Sequence, residues 1–251
     1  MPLNVELVPC LTDNYAYLIE EPQTGLCAVV DPSEAEPVRR QLAGRKLTHI
    51  LNTHHHPDHV GGNLELKAQF GAEVVGPGMD RARIPGIDIG VDEASGWQFG
   101  RMKVRVLEIP AHTRSHIAFV MDGAAFTGDT LFAMGCGRLF EGTPEMLWRA
   151  MEKLMTLPDA TRIYCGHEYT LNNGRFALSL EPDNAALRAR MAEVEQLRAR
   201  SAPTIPSTMA LEKATNPFLR PHSAEIRRTL GLEQASDVEV IAETRRRKDS
   251  F

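Results

Sequence analysis

The stretch Leu51–Asn63 reads LNTHHHPDHVGGN and places four histidines and one aspartate within six consecutive residues, 54–59. The run THIL, which ends at Leu51, is apolar or β-branched, so it predicts a β-strand that ends just before the histidines. A lone histidine at such a place is usually structural or a surface residue. Four candidate ligands in six residues, followed by two glycines, predict a metal site instead.

The spacing of these residues predicts two groups of ligands. Side chains alternate along an extended segment, so His54 and His56 share one side and His55 points away. The proline that follows turns the chain, so Asp58 and His59 can point to a second place close by. Imidazole and carboxylate ligands suit zinc, iron(II) or manganese. Two neighbouring pairs of such ligands favour two metal ions over one.

Three further ligand-type residues follow other predicted strands. His112, Asp129 and His167 each come after an apolar run and a small residue. Loops at the edge of a sheet are where functional side chains assemble on a rigid scaffold. Together with the first four residues, these three complete two coordination spheres of imidazole and carboxylate. Two neighbouring residues, Asp31 and His116, are expected to orient the ligands by hydrogen bonds and not to bind metal.

The composition excludes several classes of protein. The chain has 251 residues, of which 43% are hydrophobic and 24% charged, as in an ordinary globular protein. Its net charge of -5 argues against a generally basic nucleic-acid binder. No apolar run approaches the ~20 residues of a membrane span, and the N-terminus lacks a signal-peptide pattern. We therefore expect a cytoplasmic chain with reduced thiols at its four scattered cysteines.

The pattern of strands and helices divides the chain unevenly. Up to about residue 172, short apolar strands alternate with helical stretches such as TPEMLWRAMEKLMTLP, which predicts an α/β arrangement. Beyond it, strand patterning is lost and a long helix is expected from about Asn184 to Arg200, capped by Asp183 or Asn184. Two more helices are expected at SAEIRRTLG and SDVEVIAETRRRKD. We predict domains at 1–172 and 173–251.

The motifs THHHPDH, AHTRSH, FTGDTLF and GHEYT together resemble those of the metallo-β-lactamase superfamily. The segments GCGRLFEGT and PSTMALEKATNPFLR narrow the resemblance to the glyoxalase II family, the hydroxyacylglutathione hydrolases. The resemblance runs along essentially the whole chain. It implies a four-layer αββα sandwich for residues 1–172, followed by a mostly helical domain.

The resemblance also implies roles for the candidate ligands. One metal ion would be bound by His54, His56 and His112, the other by Asp58, His59 and His167, with Asp129 bridging the two. Zinc is expected, with iron and manganese as alternatives. A water between two such ions loses its proton near neutral pH. The resulting hydroxide would attack the thioester carbonyl, with Asp58 and Asp129 as the catalytic carboxylates.

The implied partner is a small molecule, a glutathione thioester such as S-D-lactoylglutathione, which is cleaved to D-lactate and glutathione in methylglyoxal detoxification. The substrate contacts carried over from the family are Arg138, Phe140, Tyr169, Arg245 and Lys248. At two positions the chain departs from the family, because Phe140 stands where tyrosine is frequent and Ser115 where glycine is usual. Arg245 and Lys248 lie three residues apart, and hence on one face of a helix.

Two other readings stay open on the sequence. The first is another enzyme of the same fold, such as a persulfide dioxygenase, a lactonase or a β-lactamase. A dioxygenase with one iron needs only three protein ligands, which the set of seven argues against. The second is a non-enzymatic metal-binding module, although decay normally erases ligands and none is missing. Nucleic-acid and membrane partners are not expected, and the chain is expected to be a monomer.

Overall fold

The computed structural model describes residues 3–251 and divides the chain into two compact units. The first unit comprises the chain up to Glu108 together with Ser115–Gly128, and the second comprises Ile109–Arg114 and Asp129–Phe251. The chain thus passes from one unit to the other three times. The single domain boundary expected after residue 172 stays a prediction.

The first unit contains a six-stranded sheet whose strands follow one another in chain order. The first three strands are antiparallel neighbours, whereas the last three join them in parallel. Parallel neighbours need a crossover, and helices provide it between the third and fifth strands. The strands are β1 (Val5–Cys10), β2 (Asn14–Glu20), β3 (Cys27–Val30), β4 (Leu47–Leu51), β5 (Glu73–Pro77) and β6 (Ile87–Val91).

Helices cover one face of this sheet. They are α1 (Ala35–Leu42), the single turn α2 (Pro57–Val60) and α3 (Asn63–Phe70). Val38 and Leu42 of α1 and Leu66 of α3 share one buried cluster with apolar residues of β1–β5. Burial of such side chains removes apolar surface from water and is the main stabilising contribution to this layer.

A second set of strands in the first unit is antiparallel throughout. It consists of β7 (Trp97–Phe99), β8 (Met102–Glu108), β9 (Ile117–Met121) and β10 (Ala124–Gly128). Asp122 and Gly123 connect β9 to β10 with positive φ at both residues, as a tight hairpin turn requires. The rings of Tyr17 and Phe126 approach to 5.7 Å, so β2 faces β10 in a sandwich of two sheets.

The second unit is mostly helical. Two short hairpin strands, β11 (Leu131–Phe132) and β12 (Gly135–Cys136), pair with each other, as do β13 (Arg162–Cys165) and β14 (Ser207–Thr208). The helices are α4 (Pro144–Met155), α5 (Thr170–Leu180), α6 (Ala185–Ala199), α7 (Met209–Thr215), α8 (Ala224–Leu230) and α9 (Asp237–Asp249). Among the described residues, no helix is long and apolar enough to cross a membrane.

Four helices of the second unit were expected from the sequence and two were not. The expected helices over 144–155, 185–199, 224–230 and 237–249 are confirmed, and Asn184 caps α6 by accepting the amide of Leu187. Ser236 and Glu239 form a capping box at the start of α9. Neither α5 nor α7 was predicted from the sequence, because buried polar residues interrupt the apolar periodicity of both helices.

Candidate metal centre

The histidine-rich stretch lies where β4 ends and α2 begins, within the first unit. His54 is fully buried, and its ring centre lies 4.8 Å from that of His56 and 4.2 Å from that of His59. Three imidazoles that are separated along the chain therefore converge on one place. His55 turns away from this group and hydrogen-bonds to Asp80.

The side chain of Asp58 is partly exposed. Its Oδ2 accepts a hydrogen bond from Nδ2 of Asn14 at 3.1 Å and lies 3.6 Å from Nε2 of His59. Asn14 is the first residue of β2, and its Nδ2 also donates to the backbone carbonyl of Asp58. The rigid sheet thereby fixes the direction of this carboxylate.

Asp31 holds the histidine-rich stretch, residues 54–59, which we call the ligand stretch, by hydrogen bonds to it and to the preceding Thr53. Its carboxylate accepts the backbone amide and the hydroxyl of Thr53 at 2.8 and 2.6 Å, and Nδ1 of His59 at 3.2 Å. Asp31, His54 and His59 also present potential ligand atoms within 4.8 Å of one another. Because both oxygens of Asp31 accept hydrogen bonds from the stretch itself, the structure confirms the expected tethering role.

These hydrogen bonds also orient the imidazoles. His59 donates from Nδ1 to Asp31, which leaves the ring lone pair on Nε2. The hydroxyl of Thr53 is committed to Asp31, so Nδ1 of His54 donates to that hydroxyl at 3.0 Å, and the lone pair of His54 is on Nε2 as well. Hydrogen bonds to the outer nitrogen are the usual way in which proteins prepare a histidine for metal binding.

His116 packs directly behind the ligand stretch. Its ring stacks on that of His54 with centres 4.6 Å apart and an angle of 22°. The close approach depends on Gly128, since a Cβ atom there would lie 2.3 Å from Oγ1 of Thr53 and 2.8 Å from the His116 ring. The φ of +47° at Gly128 is also one that favours glycine.

The second unit brings together the other three predicted ligands. Oδ2 of Asp129 lies 3.5 Å from Nε2 of His112 and 3.3 Å from Nε2 of His167. All three side chains are buried. Nδ1 of His112 donates to the backbone carbonyl of Arg138 at 2.8 Å, so its lone pair also lies on Nε2. A carboxylate between two buried imidazoles is a donor group that suits a divalent metal ion.

The donor sets of both units fit divalent metal ions. In the first unit His54 and His59 are buried with their Nδ1 atoms held by hydrogen bonds, and the carboxylate of Asp58 lies at short range. In the second unit His112 and His167 are buried beside Asp129, and Nδ1 of His112 is held by a hydrogen bond. Buried polar groups of this kind are costly unless they are paired or bind a metal. Nitrogen and oxygen donors of this mixture suit zinc, iron and manganese alike, so the chemistry of the donors indicates divalent metal binding without selecting the metal.

The predicted substrate residues near the ligands of the second unit are aromatic and partly exposed. The ring of Tyr169 stacks on His167 with centres 4.6 Å apart and an angle of 4°. The Phe140 side chain is 63% exposed, and its ring centre lies 5.2 Å from that of His112. Both rings therefore lie beside ligand histidines and reach solvent, as side chains that contact a substrate must.

The two predicted cations of α9 differ in their surroundings. Arg245 is buried; its Nη1 donates to the carbonyl of Cys136 at 2.9 Å, and its Nη2 lies 3.1 Å from Asp249. Nζ of Lys248 lies 5.3 Å from the centre of the Phe176 ring and 5.1 Å from that of Phe251. Burial lowers the pKa of Lys248 to about 8, and the charge of Arg245 contributes to this shift.

The structure adds residues that the sequence did not single out. Asp249 pairs with Arg245 and lies 3.8 Å from Nε of Arg138, so it joins two of the predicted substrate cations. Phe176 and Phe251 flank Lys248. Of these three residues, only Asp249 could have been noticed in the sequence, because it directly follows the basic run RRRK at 245–248. All four cysteines are buried.

Comparison with known families agrees with this geometry. Residues 11–167 match the model of the metallo-β-lactamase superfamily, and residues 168–251 match the model of the hydroxyacylglutathione hydrolase C-terminus. The superfamily model covers more than half of the chain, so the chain has the metallo-β-lactamase fold, and the predicted α/β class is confirmed.

Individual relatives narrow the assignment. A hydroxyacylglutathione hydrolase from Methylococcus capsulatus is 54% identical over 253 aligned residues, which cover 99% of both chains. The chain belongs to the hydroxyacylglutathione hydrolase family, as the resemblance of its motifs predicted. Among solved structures, ETHE1 from Myxococcus xanthus is similar in fold, with a TM-score of 0.67, 24% identity and full coverage of both chains. TTHA1623 in a di-iron-bound form has a TM-score of 0.57 and 25% identity, with 87% of this chain and 100% of that chain covered.

Proposed function

We propose that the chain hydrolyses S-(2-hydroxyacyl)glutathione, chiefly S-D-lactoylglutathione, to a 2-hydroxy acid and glutathione. The observation that carries the proposal is the full-length identity of 54% to a hydroxyacylglutathione hydrolase, which includes the C-terminal part as well as the metal-ligand motifs. In this role the chain acts as a cytoplasmic monomer in the detoxification of methylglyoxal.

The proposed cofactor is a pair of divalent ions, with zinc first and iron or manganese as alternatives. One ion would be held by His54, His56 and His112 and the second by Asp58, His59 and His167, with Asp129 shared by both. The inward direction of Nε2 in three of the histidines supports this set. So does the similarity to a protein of this fold that was solved in a di-iron-bound form.

Bound divalent ions would supply a water of lowered pKa and positive charge near the thioester carbonyl. The protein contributes orientation. Asp58, aimed by Asn14, accepts a hydrogen bond from the attacking water. In the reaction a bond forms between the water oxygen and the carbonyl carbon, the carbon–sulfur bond breaks, and the leaving thiolate takes up a proton from solvent. Thiols have a pKa near 8.5, so the leaving group needs no strong general acid.

The substrate would be held by the surroundings of the second set of ligands. Tyr169 and Phe140 would contact the tripeptide beside His167 and His112. Lys248, Arg245 and Arg138 would hold its carboxylates, because glutathione is anionic. Arg245 and Arg138 both lie beside Asp249, and Lys248 lies one turn along α9 from Arg245. Such contacts contribute to binding of the substrate and the transition state alike, so they act on KM more than on kcat.

Metal content and thioester hydrolysis, measured together on the purified protein, test this function. We expect about two divalent ions per chain, hydrolysis of S-D-lactoylglutathione with release of one thiol per turnover, and loss of activity on chelation that is reversed by added zinc. Activity on a lactone without activity on the thioester would favour a lactonase, and oxygen consumption with a glutathione persulfide would favour a dioxygenase. A protein that binds metal but turns over none of these would be a binding module.

A further inference from the structure

A buried carboxylate outside the proposed ligand set connects two parts of the first unit. Asp80 ends a short 3-10 turn, Gly78–Asp80, that follows β5, and it is 3% exposed. Its partners are His55, Arg83 and Ser115. We call these four residues the Asp80 cluster. Neither the metal chemistry nor the substrate contacts described above use any of them.

The hydrogen bonds of the Asp80 cluster form a closed circuit. Oδ2 of Asp80 accepts from Nδ1 of His55 at 3.0 Å and from the hydroxyl of Ser115, while Oδ1 accepts from Nε of Arg83. Nη1 of Arg83 donates to Nε2 of His55 at 3.1 Å. Both ring nitrogens of His55 are therefore engaged, which explains why this histidine stands among ligands without being one of them.

The positions of His55 and Ser115 give the cluster its significance. His55 is bonded along the chain to His54 on one side and His56 on the other. Ser115 directly precedes His116, whose ring stacks on His54. A buried, charge-paired carboxylate that accepts from both residues holds their backbones at a fixed separation, because breaking either hydrogen bond would leave a buried polar group unsatisfied.

We propose that Asp80 is a positioning residue for the metal centre, which acts by holding His55 and Ser115 so that His54, His56 and His116 keep their geometry. The inference rests on the proposed function, since it presumes that His54 and His56 bind metal. Asp31 fixes the same stretch from the side of Thr53 and His59. Asp80 fixes it from the side of His55, so the stretch is held at two points.

Ser115 gives the proposal a feature specific to this chain. The resemblance of motifs expects glycine at this position, and glycine has no donor to offer Asp80. Here the serine hydroxyl donates to the carboxylate and is buried with it. Ser115, which replaces the usual glycine, thus has a hydrogen-bond acceptor in Asp80. This hydrogen bond connects Asp80 to the strand that begins at Ile117.

The test measures how fast zinc leaves the loaded protein when a chelating dye is in excess. The variants are Asp80→Asn, Ser115→Gly and the two combined. The control is Glu21→Gln, since Glu21 is also a buried carboxylate that accepts a hydroxyl, from Thr24, but contacts none of the ligand residues. Denaturant midpoints are recorded for all proteins, so that loss of metal can be separated from loss of fold.

We expect zinc release to be at least about tenfold faster in Asp80→Asn, because removal of partners behind metal ligands costs about 10- to 100-fold in metal affinity. Ser115→Gly should be faster by a smaller factor, the double variant should match Asp80→Asn, and Glu21→Gln should match wild type. Hydrolysis by Asp80→Asn should recover at saturating zinc, which a general structural defect would not allow.

Asp80→Asn with wild-type release rates would overturn the inference. Should Asp80→Asn fail to fold, Ser115→Gly decides, since it keeps the carboxylate: faster release supports the proposal and unchanged release overturns it. Wild-type protein that binds no metal would overturn the proposed function and this inference together, whereas two bound ions with identical release from Asp80→Asn and wild type would overturn this inference alone.

Discussion

The ligand stretch at residues 54–59 and the end of α9 at residues 245–249 both crowd functional side chains into a few positions, but the fold treats them differently. In the first, His54 and His59 are buried, and Asp31 and Asp80 hold the stretch by hydrogen bonds. In the second, Arg245 is buried and paired with Asp249, whereas Lys248 is partly exposed beside two aromatic rings. Buried, hydrogen-bonded side chains suit metal ligation, whereas a partly exposed cation suits a substrate that must enter and leave.

The largest effect is expected at Asp129, the carboxylate proposed to be shared by both metal ions. Asp129→Ala should lower metal content and reduce kcat/KM by at least about 100-fold, because it would remove a proposed ligand of both ions. That is a larger loss than removal of a hydrogen-bond partner behind a ligand. Metal analysis and thioester hydrolysis measure this directly. Asp159→Ala, which removes an exposed carboxylate paired with Lys213, is the control and should change neither quantity.

Retention of two ions and near wild-type turnover by Asp129→Ala would contradict the binuclear site.

A smaller effect is expected at the end of α9. Arg245→Ala combined with Lys248→Ala should raise KM about tenfold or more, with kcat falling less and metal content unchanged, since each charged hydrogen bond contributes roughly 1.5–3 kcal/mol when well formed and less where water screens it. Arg246→Ala is the matched control on the same helix, because Arg246 is exposed and pairs with Glu243.

The same double variant should lose less on a thioester that lacks the glycyl carboxylate, because no partner then remains for the two cations. Equal losses on both substrates would mean that these residues stabilise the fold and do not bind glutathione. Arg245 is buried against Cys136 and so can stabilise the fold. Lys248→Ala alone therefore separates substrate binding from stabilisation of the fold.

The smallest effect concerns pH. The pKa of Lys248 is lowered to about 8 by burial, so its charge is present below pH 8 and is lost as the pH rises through that value. KM for the anionic substrate should therefore rise severalfold between pH 7 and 9, and Lys248→Arg, which stays charged, should flatten the profile. The titratable groups that act on Lys248 are Arg245, whose charge lowers this pKa further, and the buried Cys136. If KM of the wild-type protein did not change with pH, Lys248 would not bind the carboxylate of the substrate.

Local pattern in the sequence was enough to predict the ligand stretch. The alternation of side chains put His54 with His56 and turned His55 away, and the structure shows this arrangement. The capping residue of α6 was predicted for the same reason, since a cap acts over three or four positions.

Contacts between residues far apart in the chain could not be predicted from the sequence. Asp80 lies 25 positions from His55 and 35 from Ser115, and nothing in its own surroundings marks it as a partner of either. The burial of Arg245 against Cys136 is likewise a tertiary contact, over 109 positions. The basic run at 245–248 predicts a cationic surface. Only the fold shows that Arg245 is buried and that Lys248 is partly exposed.

We propose that the seven predicted ligands hold two adjacent divalent ions. Anomalous diffraction from crystals of the zinc-loaded protein, recorded at the zinc absorption edge, tests this proposal. We expect two peaks about 3.5–4 Å apart, as in other two-metal sites, with Asp129 between them, His54, His56 and His112 around one, and Asp58, His59 and His167 around the other. A single peak, or peaks remote from Asp129, would contradict the binuclear site.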